Sequence, residues 1–313
     1  MIEEIIISGR NNPEIDPTLH IWGWEIPFYL FIGGLVAGIL FFSALYTIRD
    51  KSSEYPTVVM IAPMFTPFFL GIGLFALFLD LSHKLYFWQL YTNIRWESPM
   101  SWGAWTLMVV TPLSIIWSAS WVQDVFPNWD WKYNWIKDIL TKFIEIRKQV
   151  AWLIIFLSII LGMYTGILLS AFNARPFWNT AILGPLFLTS GLSAGAAFII
   201  LLSKSKKEKH LFIKIDFMLI ITELFLIVHM FMGFLAGTKV HIEAANLFLG
   251  GPFTVQFWVF VVGLGLIVPI FLEILELKNK PIPAYLSAIL VLYGSIMLRF
   301  IVVEAGQASR WLY

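Results

Sequence analysis

Eight long apolar runs fill the chain, near 24 to 48, 57 to 79, 101 to 122, 149 to 172, 178 to 203, 211 to 236, 254 to 275 and 281 to 302. As a helix, each is long enough to cross about 30 Å of hydrocarbon. The pattern therefore predicts an all-α integral membrane protein with eight transmembrane helices. The first run lacks a charged n-region and a small-residue cleavage site, so it is expected to be a retained helix and not a signal peptide.

The polar stretches between the runs are sorted by charge. The connections after the first, third, fifth and seventh runs carry 14 of the 21 Lys and Arg residues. Cytoplasmic loops hold such an excess, so both termini are expected outside. The face poorest in Lys and Arg is the one richest in other polar side chains, which makes it the expected working surface. A chain that is 59% hydrophobic and 13% charged has too little polar surface for a soluble domain. The formal net charge of +1 is divided between membrane sides, and the basic inner loops need no nucleic acid to explain them. Zero cysteines exclude a protein-held iron-sulfur cluster, a thiolate zinc site, a disulfide and a thiol nucleophile. Any electron handled here must come from a quinone, a haem or another subunit.

Gly34-Leu35-Val36-Ala37-Gly38-Ile39-Leu40-Phe41 recurs half a chain later as Gly191-Leu192-Ser193-Ala194-Gly195-Ala196-Ala197-Phe198. Both copies fall in runs of the same direction, which suggests two four-helix bundles built as parallel halves. The division is drawn at 1–148, with three helices and an amphipathic inner loop, and 149–313, with five helices, inside one membrane domain. Gly34 with Gly38, Gly162 with Gly166, and Gly191 with Gly195 are spaced for close backbone approach, which explains them without a cofactor. Pro63, Pro67, Pro112, Pro185 and Pro269 predict kinks. The basic inner stretch 123 to 148, with Trp129, Trp131 and Trp135, reads as a helix lying on anionic lipid.

Ionisable groups at membrane depth cost several kcal/mol unless paired or hydrated, so each is a functional suspect. Asp80 closes the second run, with His83 and Lys84 beside it. Asp216 and Glu223 share one face of the sixth run, and Arg299 lies in the eighth at a depth similar to Glu223. Two readings stay open: a buried Glu223–Arg299 ion pair that fixes packing, or a proton path in which Asp216, Glu223 and Arg299 take part with Asp80. In the outer half, Glu25, Tyr29, Asp80, His83, Trp102 and Tyr164 converge in depth. Together they supply an apolar slot, hydrogen-bond donors and a proton route, as a quinone site requires. An interfacial aromatic belt explains most aromatics singly. Tyr164 is too deep for a belt, and its hydroxyl needs a partner. Arg175, Asn179 and Lys84, in the outer connections, are candidates for partner docking. A bis-His haem needs facing ligands at matched depth, yet His20, His83, His210 and His241 lie at run edges and only His229 lies inside one.

Several motifs resemble the NrfD/PsrC family of membrane subunits. They are Trp22-Gly23-Trp24 with Pro27-Phe28-Tyr29-Leu30-Phe31-Ile32-Gly33-Gly34-Leu35, Asp80-Leu81 with Phe87-Trp88, and Ser98-Pro99-Met100-Ser101-Trp102-Gly103-Ala104-Trp105. Tyr164-Thr165-Gly166, Arg175-Pro176-Phe177-Trp178-Asn179 and Ser190-Gly191-Leu192-Ser193-Ala194-Gly195 extend the likeness. The resemblance implies eight helices and a quinone site near the outer face, with no haem or metal in this chain. It also implies a four-cluster iron-sulfur partner and a molybdopterin or other catalytic subunit, in the cytoplasmic membrane of a bacterium or archaeon. Tyr164 matches the family's site tyrosine, Asp80 its acidic residue, and Tyr29 a residue that contacts the quinone, with menaquinone the expected form. Where many members have Arg-Pro after the Asp-Leu pair, this chain has His83-Lys84, which puts an imidazole and an ammonium beside the site. The competing classes are a secondary transporter or proton-translocating subunit without redox chemistry, and a structural anchor.

Overall fold

The computed structural model describes residues 22–278, 280 and 283–309, and all regular structure among them is helical. The main helices are α1 (Glu25–Ile48), α2 (Thr66–Asp80), α3 (Pro99–Ala119), α4 (Asn134–Glu145), α5 (Arg147–Ser170), α6 (Leu183–Leu202), α7 (Lys206–Leu235), α8 (Lys239–Asn246), α9 (Val268–Leu277) and α10 (Ala284–Ala308). A π-helical turn and a 3₁₀ turn lead into α2 from Thr57, and a π-helical stretch, Gln256–Ile267, leads into α9. Among the described residues seven helical stretches are long and apolar enough to cross a membrane: α1, Thr57–Asp80, Pro99–Val125, α5, α6, Gln256–Leu277 and α10. The run expected at 211 to 236 is covered by α7, whose 30 residues begin within the basic stretch and span roughly 45 Å.

Helices α1, α2, α3 and α5 pack as one group, and α6, α7, Gln256–Leu277 and α10 as another. At the centre α1 lies against α6, and α5 packs on both. The repeated glycine motifs meet there, face to face. A Cβ at Gly38 would overlap the carbonyl oxygen of Gly191, and one at Gly195 would stand 2.7 Å from the Gly38 Cα. On α5, Gly162 and Gly166 face Leu188 and Leu183 of the α6 region. All three pairs are thus seats for helix packing.

The prolines distort the second crossing as their lost N–H groups require. Pro63 frees the Val59 carbonyl, which accepts a hydrogen bond from Ser43 Oγ at 3.0 Å. Pro67 removes the i+4 donor of the Pro63 carbonyl, which accepts instead from the Thr66 backbone N–H, and from Thr66 Oγ1 and Ser118 Oγ, both at 2.7 Å. Hydroxyls from α1 and α3 thereby supplement the backbone donors that the prolines lack, as an apolar surrounding demands. Near the same end, Glu208 accepts from Val58 N at 2.8 Å and from Ser203 Oγ at 2.8 Å, tying α7 to the start of the second crossing.

Two ends of the molecule follow from this arrangement. The basic face carries residues 49–56, 120–146 and 203–205, and includes α4 with Trp135, Ile139 and Ile144 exposed. The opposite end, the site face, carries residues 81–98, 171–182 and 236–253. α10 runs past its expected end at 302 to Ala308, and Gly306 in this added stretch leaves room for the Trp178 ring. Trp178 Nε1 donates to the Val302 carbonyl at 2.8 Å, and Gln307 exchanges hydrogen bonds with the Trp22 backbone.

Candidate functional site

A cavity of about 500 Å³ opens near the site face between α1, α2, α3 and α5. Tyr29 and Tyr164 line it, and their buried hydroxyls are hydrogen-bonded to each other across 135 residues of sequence. Each ring is seated by a glycine on a neighbouring helix. A Cβ at Gly103 of α3 would overlap the Tyr164 ring, and one at Gly73 of α2 would come within 3.4 Å of Tyr29. Asp80, the last residue of α2, closes the polar end, with Glu25 and Lys84 within electrostatic reach. Apart from Tyr91 at the mouth, the rest of the wall is largely apolar, with Ile26 and Leu30 of α1, Leu74 and Leu77 of α2, Leu107 of α3 and Leu168 of α5. The polar end thus has three side chains that can donate to or accept from a planar two-oxygen ring, and the apolar walls suit the ring and a hydrocarbon tail.

The structure brings together three of the six residues expected at a quinone: Tyr29, Tyr164 and Asp80. His83 lines a second pocket of about 450 Å³, which shares Leu81, Phe87, Leu90 and Met100 with the cavity and opens toward the surface beside Arg95. Trp102 is half exposed, its Nε1 donating to the Trp96 carbonyl at 2.9 Å, and its ring packs with Trp96 and Trp105 outside the cavity wall. Glu25 sits in the first turn of α1, near Asp80 but off the wall. The sequence did not single out Tyr91. This tyrosine comes from a short helix, Gln89–Thr92, folded over the cavity mouth. Burial pushes its phenol above the ordinary tyrosine value, so it keeps its proton and remains a donor. Nothing in the periodicity of 80 to 100 marks it, since the segment is neither a membrane run nor an amphipathic helix.

Of the docking candidates, Lys84 is exposed, while Arg175 turns inward and donates to the carbonyls of Gln307 and Ser309 at 2.8 and 2.9 Å. Arg175 therefore holds the end of α10. Asn179 closes the turn through its N–H to the Arg175 carbonyl at 3.1 Å.

The second group of helices buries a separate polar cluster. Arg299 is fully buried, and its Nη1 donates to Ser190 Oγ at 2.6 Å, Ser295 Oγ at 2.6 Å and the Ser295 carbonyl at 2.8 Å. Its Nη2 donates to the Phe187 carbonyl at 3.1 Å. Among the described residues no direct ion pair joins it to Glu223: the expected contact is replaced by serine hydroxyls, with Glu223 within electrostatic reach. About two turns further along α7, Asp216 accepts from Ser193 Oγ at 2.5 Å. Glu273 of α9 is fully buried and faces Asp216 within reach of a carboxyl–carboxyl hydrogen bond, which needs a proton on one of the two. Glu273 was missed at the level of sequence, although an acidic residue inside the seventh run is a signal of the same kind as Asp216 in the sixth.

The protein is similar over nearly its whole length to proteins of known family. A family model described as "Polysulphide reductase, NrfD" matches residues 12–309. Protein NrfD of Escherichia coli (strain K12) is 31% identical over 304 residues, covering 92% of this sequence and 96% of that protein. The C chain of polysulfide reductase from Wolinella succinogenes is 30% identical over 301 residues, covering 92% and 94%. The C subunit of selenate reductase from Mesobacillus selenatarsenatis is 25% identical over 328 residues, covering 90% and 73%.

Proposed function

The chain belongs to the NrfD family, and from that membership we propose that it is the quinone-reactive membrane subunit of a respiratory oxidoreductase. On this reading the site face lies outside the bacterial or archaeal cytoplasmic membrane, α7 makes the eighth crossing, and both termini are external. The observation that carries the proposal is the Tyr29–Tyr164 hydroxyl pair at the polar end of a largely apolar cavity, with Asp80 beside it.

Oxidation of a quinol to its quinone releases two protons and two electrons. The electrons pass to an iron-sulfur partner docked on the site face, and from there to a molybdopterin or other catalytic subunit. Tyr29 and Tyr164 orient the ring oxygens, and Asp80 takes up the two released protons one after the other and passes each toward the surface. The same contacts serve the reverse direction, in which the partner reduces the quinone. Menaquinone is the proposed form. The names of the relatives, components of polysulfide reductase and of selenate reductase, support a place in a reductase of several subunits. The buried Asp216–Glu273 pair and the Glu223, Ser190 and Arg299 cluster supply groups for a proton path from the basic face into the second helix group.

Replacing Tyr164 by Phe deletes one hydroxyl and keeps the ring. Quinol turnover by the purified complex should fall by roughly 10²-fold, the scale of one lost positioned hydrogen bond, while the same subunits still co-purify. Unchanged turnover in an intact Tyr164→Phe complex removes Tyr164 from the site.

A further inference from the structure

Gly71 stands out on the wall of the cavity. It lies in α2, nine residues from Asp80 and so roughly 13 Å deeper in the membrane than the polar end. A Cβ built at Gly71 would meet nothing within 4 Å. Most other glycines of the crossings mark places where backbones or rings press together, so packing does not explain this one. Phe68, Gly71, Phe75 and Phe78 share one face of α2, at spacings of three and four residues. Phe68 is 65% exposed and Phe75 60% exposed, so this face is turned outward. Gly71 is thus a gap in a row of outward phenylalanines, and the gap opens into the cavity.

We propose that Gly71 is a specificity-determining notch, through which the hydrocarbon tail of a long-chain quinone leaves the cavity for the surrounding lipid while its ring is held at Tyr29 and Tyr164. This rests on the quinone reading above and adds the tail's route, from the ring site along the apolar wall to the notch at position 71. Tail and lipid are equally apolar, so no hydrophobic gain draws the tail into the protein; what matters is an unobstructed path. A phenylalanine at position 71 would complete the row and close that path. A quinol without a tail never uses the notch.

The test compares the purified complex carrying Gly71→Phe or Gly71→Ala with the unsubstituted complex. Two substrates are used in whichever direction the complex runs: a menaquinol with its full polyprenyl tail, and a dimethylnaphthoquinol with none. Because position 71 is exposed and unobstructed, both variants are expected to assemble. Gly71→Phe should raise KM for the long-tailed substrate by about tenfold or more and leave the tailless one within about twofold, with Gly71→Ala near the unsubstituted values. A Gly71→Phe complex that handles both substrates normally, or loses both equally, overturns the notch. Failure of the unsubstituted complex to turn over either substrate instead removes the quinone reading beneath it.

Discussion

On the proposed reading Tyr164 holds a quinone oxygen where its hydroxyl meets that of Tyr29, and two glycines seat the rings that make this contact. With Gly103 replaced by Val, a branched side chain would occupy the space of the Tyr164 ring and push the hydroxyl out of register. Displacement of a positioning group by about 1 Å costs on the order of 10²-fold in rate, so Gly103→Val should approach the Tyr164→Phe defect in quinol turnover. Equal turnover in Gly103→Val and unsubstituted complexes would show that the ring tolerates displacement. Glu273 is held in a buried carboxyl pair with Asp216. Removing one member leaves the other unsatisfied at a cost of about 1–3 kcal/mol, so Glu273→Met should lower the Tm of the purified subunit. If the carboxyl relays protons, the same variant should also lower proton movement per electron; a lower Tm with unaltered proton movement would leave Glu273 no part in a path. Tyr164 was legible in the sequence from its depth in a run and its hydroxyl, while Tyr29 and Asp80, at the ends of their runs, were marked by their shared level and by the family motifs. Tyr91 was not, since its place depends on how 81–98 folds back over the cavity. His83 and Trp102 share the depth of the site but point elsewhere, and sequence position gives depth without azimuth.

Among the elements, α1 and α6 carry the construction of the molecule. The half-chain repeat was legible as similarity between 34–41 and 191–198, yet that similarity does not reveal that the two copies are each other's partners. Gly38 approaches the backbone of Gly191, which has no rotamer by which to move aside. Overpacking a core costs about 1–3 kcal/mol even where side chains adjust, so Gly38→Leu should exceed that and reduce both Tm and the yield of assembled complex. Gly71→Leu, with open space around it, should leave both unchanged, and equal losses at the two positions would refute the distinction. The second crossing follows the same logic. Its prolines predicted disruption, but the hydroxyls that repair it come from Ser43 and Ser118 on other helices, and only the folded molecule pairs them. The ends of α7 and α10 differ from the apolar runs for a similar reason. Helix α7 extends into charged sequence where Glu208 anchors it, and α10 continues to Ala308 where Trp178 and Trp22 hold it.

At the scale of the whole molecule, charge sorting and site placement are linked. The cavity and the pocket beside it lie at the end of the helices opposite the basic connections. If basic connections stay in the cytoplasm, protons released at Asp80 leave on the outside, and electrons must be collected there by a partner. The buried carboxylates of α7 and α9 then lie toward the inner side, on the far side of Arg299 from the site face. Orientation thus decides whether the two polar regions lie in series across the membrane with the quinone outermost. The sequence has no cysteine, which makes the question directly measurable. Glu97→Cys and Lys239→Cys place exposed thiols on the site face, and Lys142→Cys places one on the basic face. In intact cells a membrane-impermeant maleimide should label the first two after release of the outer envelope, and label Lys142→Cys only once the cytoplasmic membrane is opened. The reverse pattern would put the quinone end inside, so that quinol oxidation would release its protons to the cytoplasm and the partner would have to be cytoplasmic.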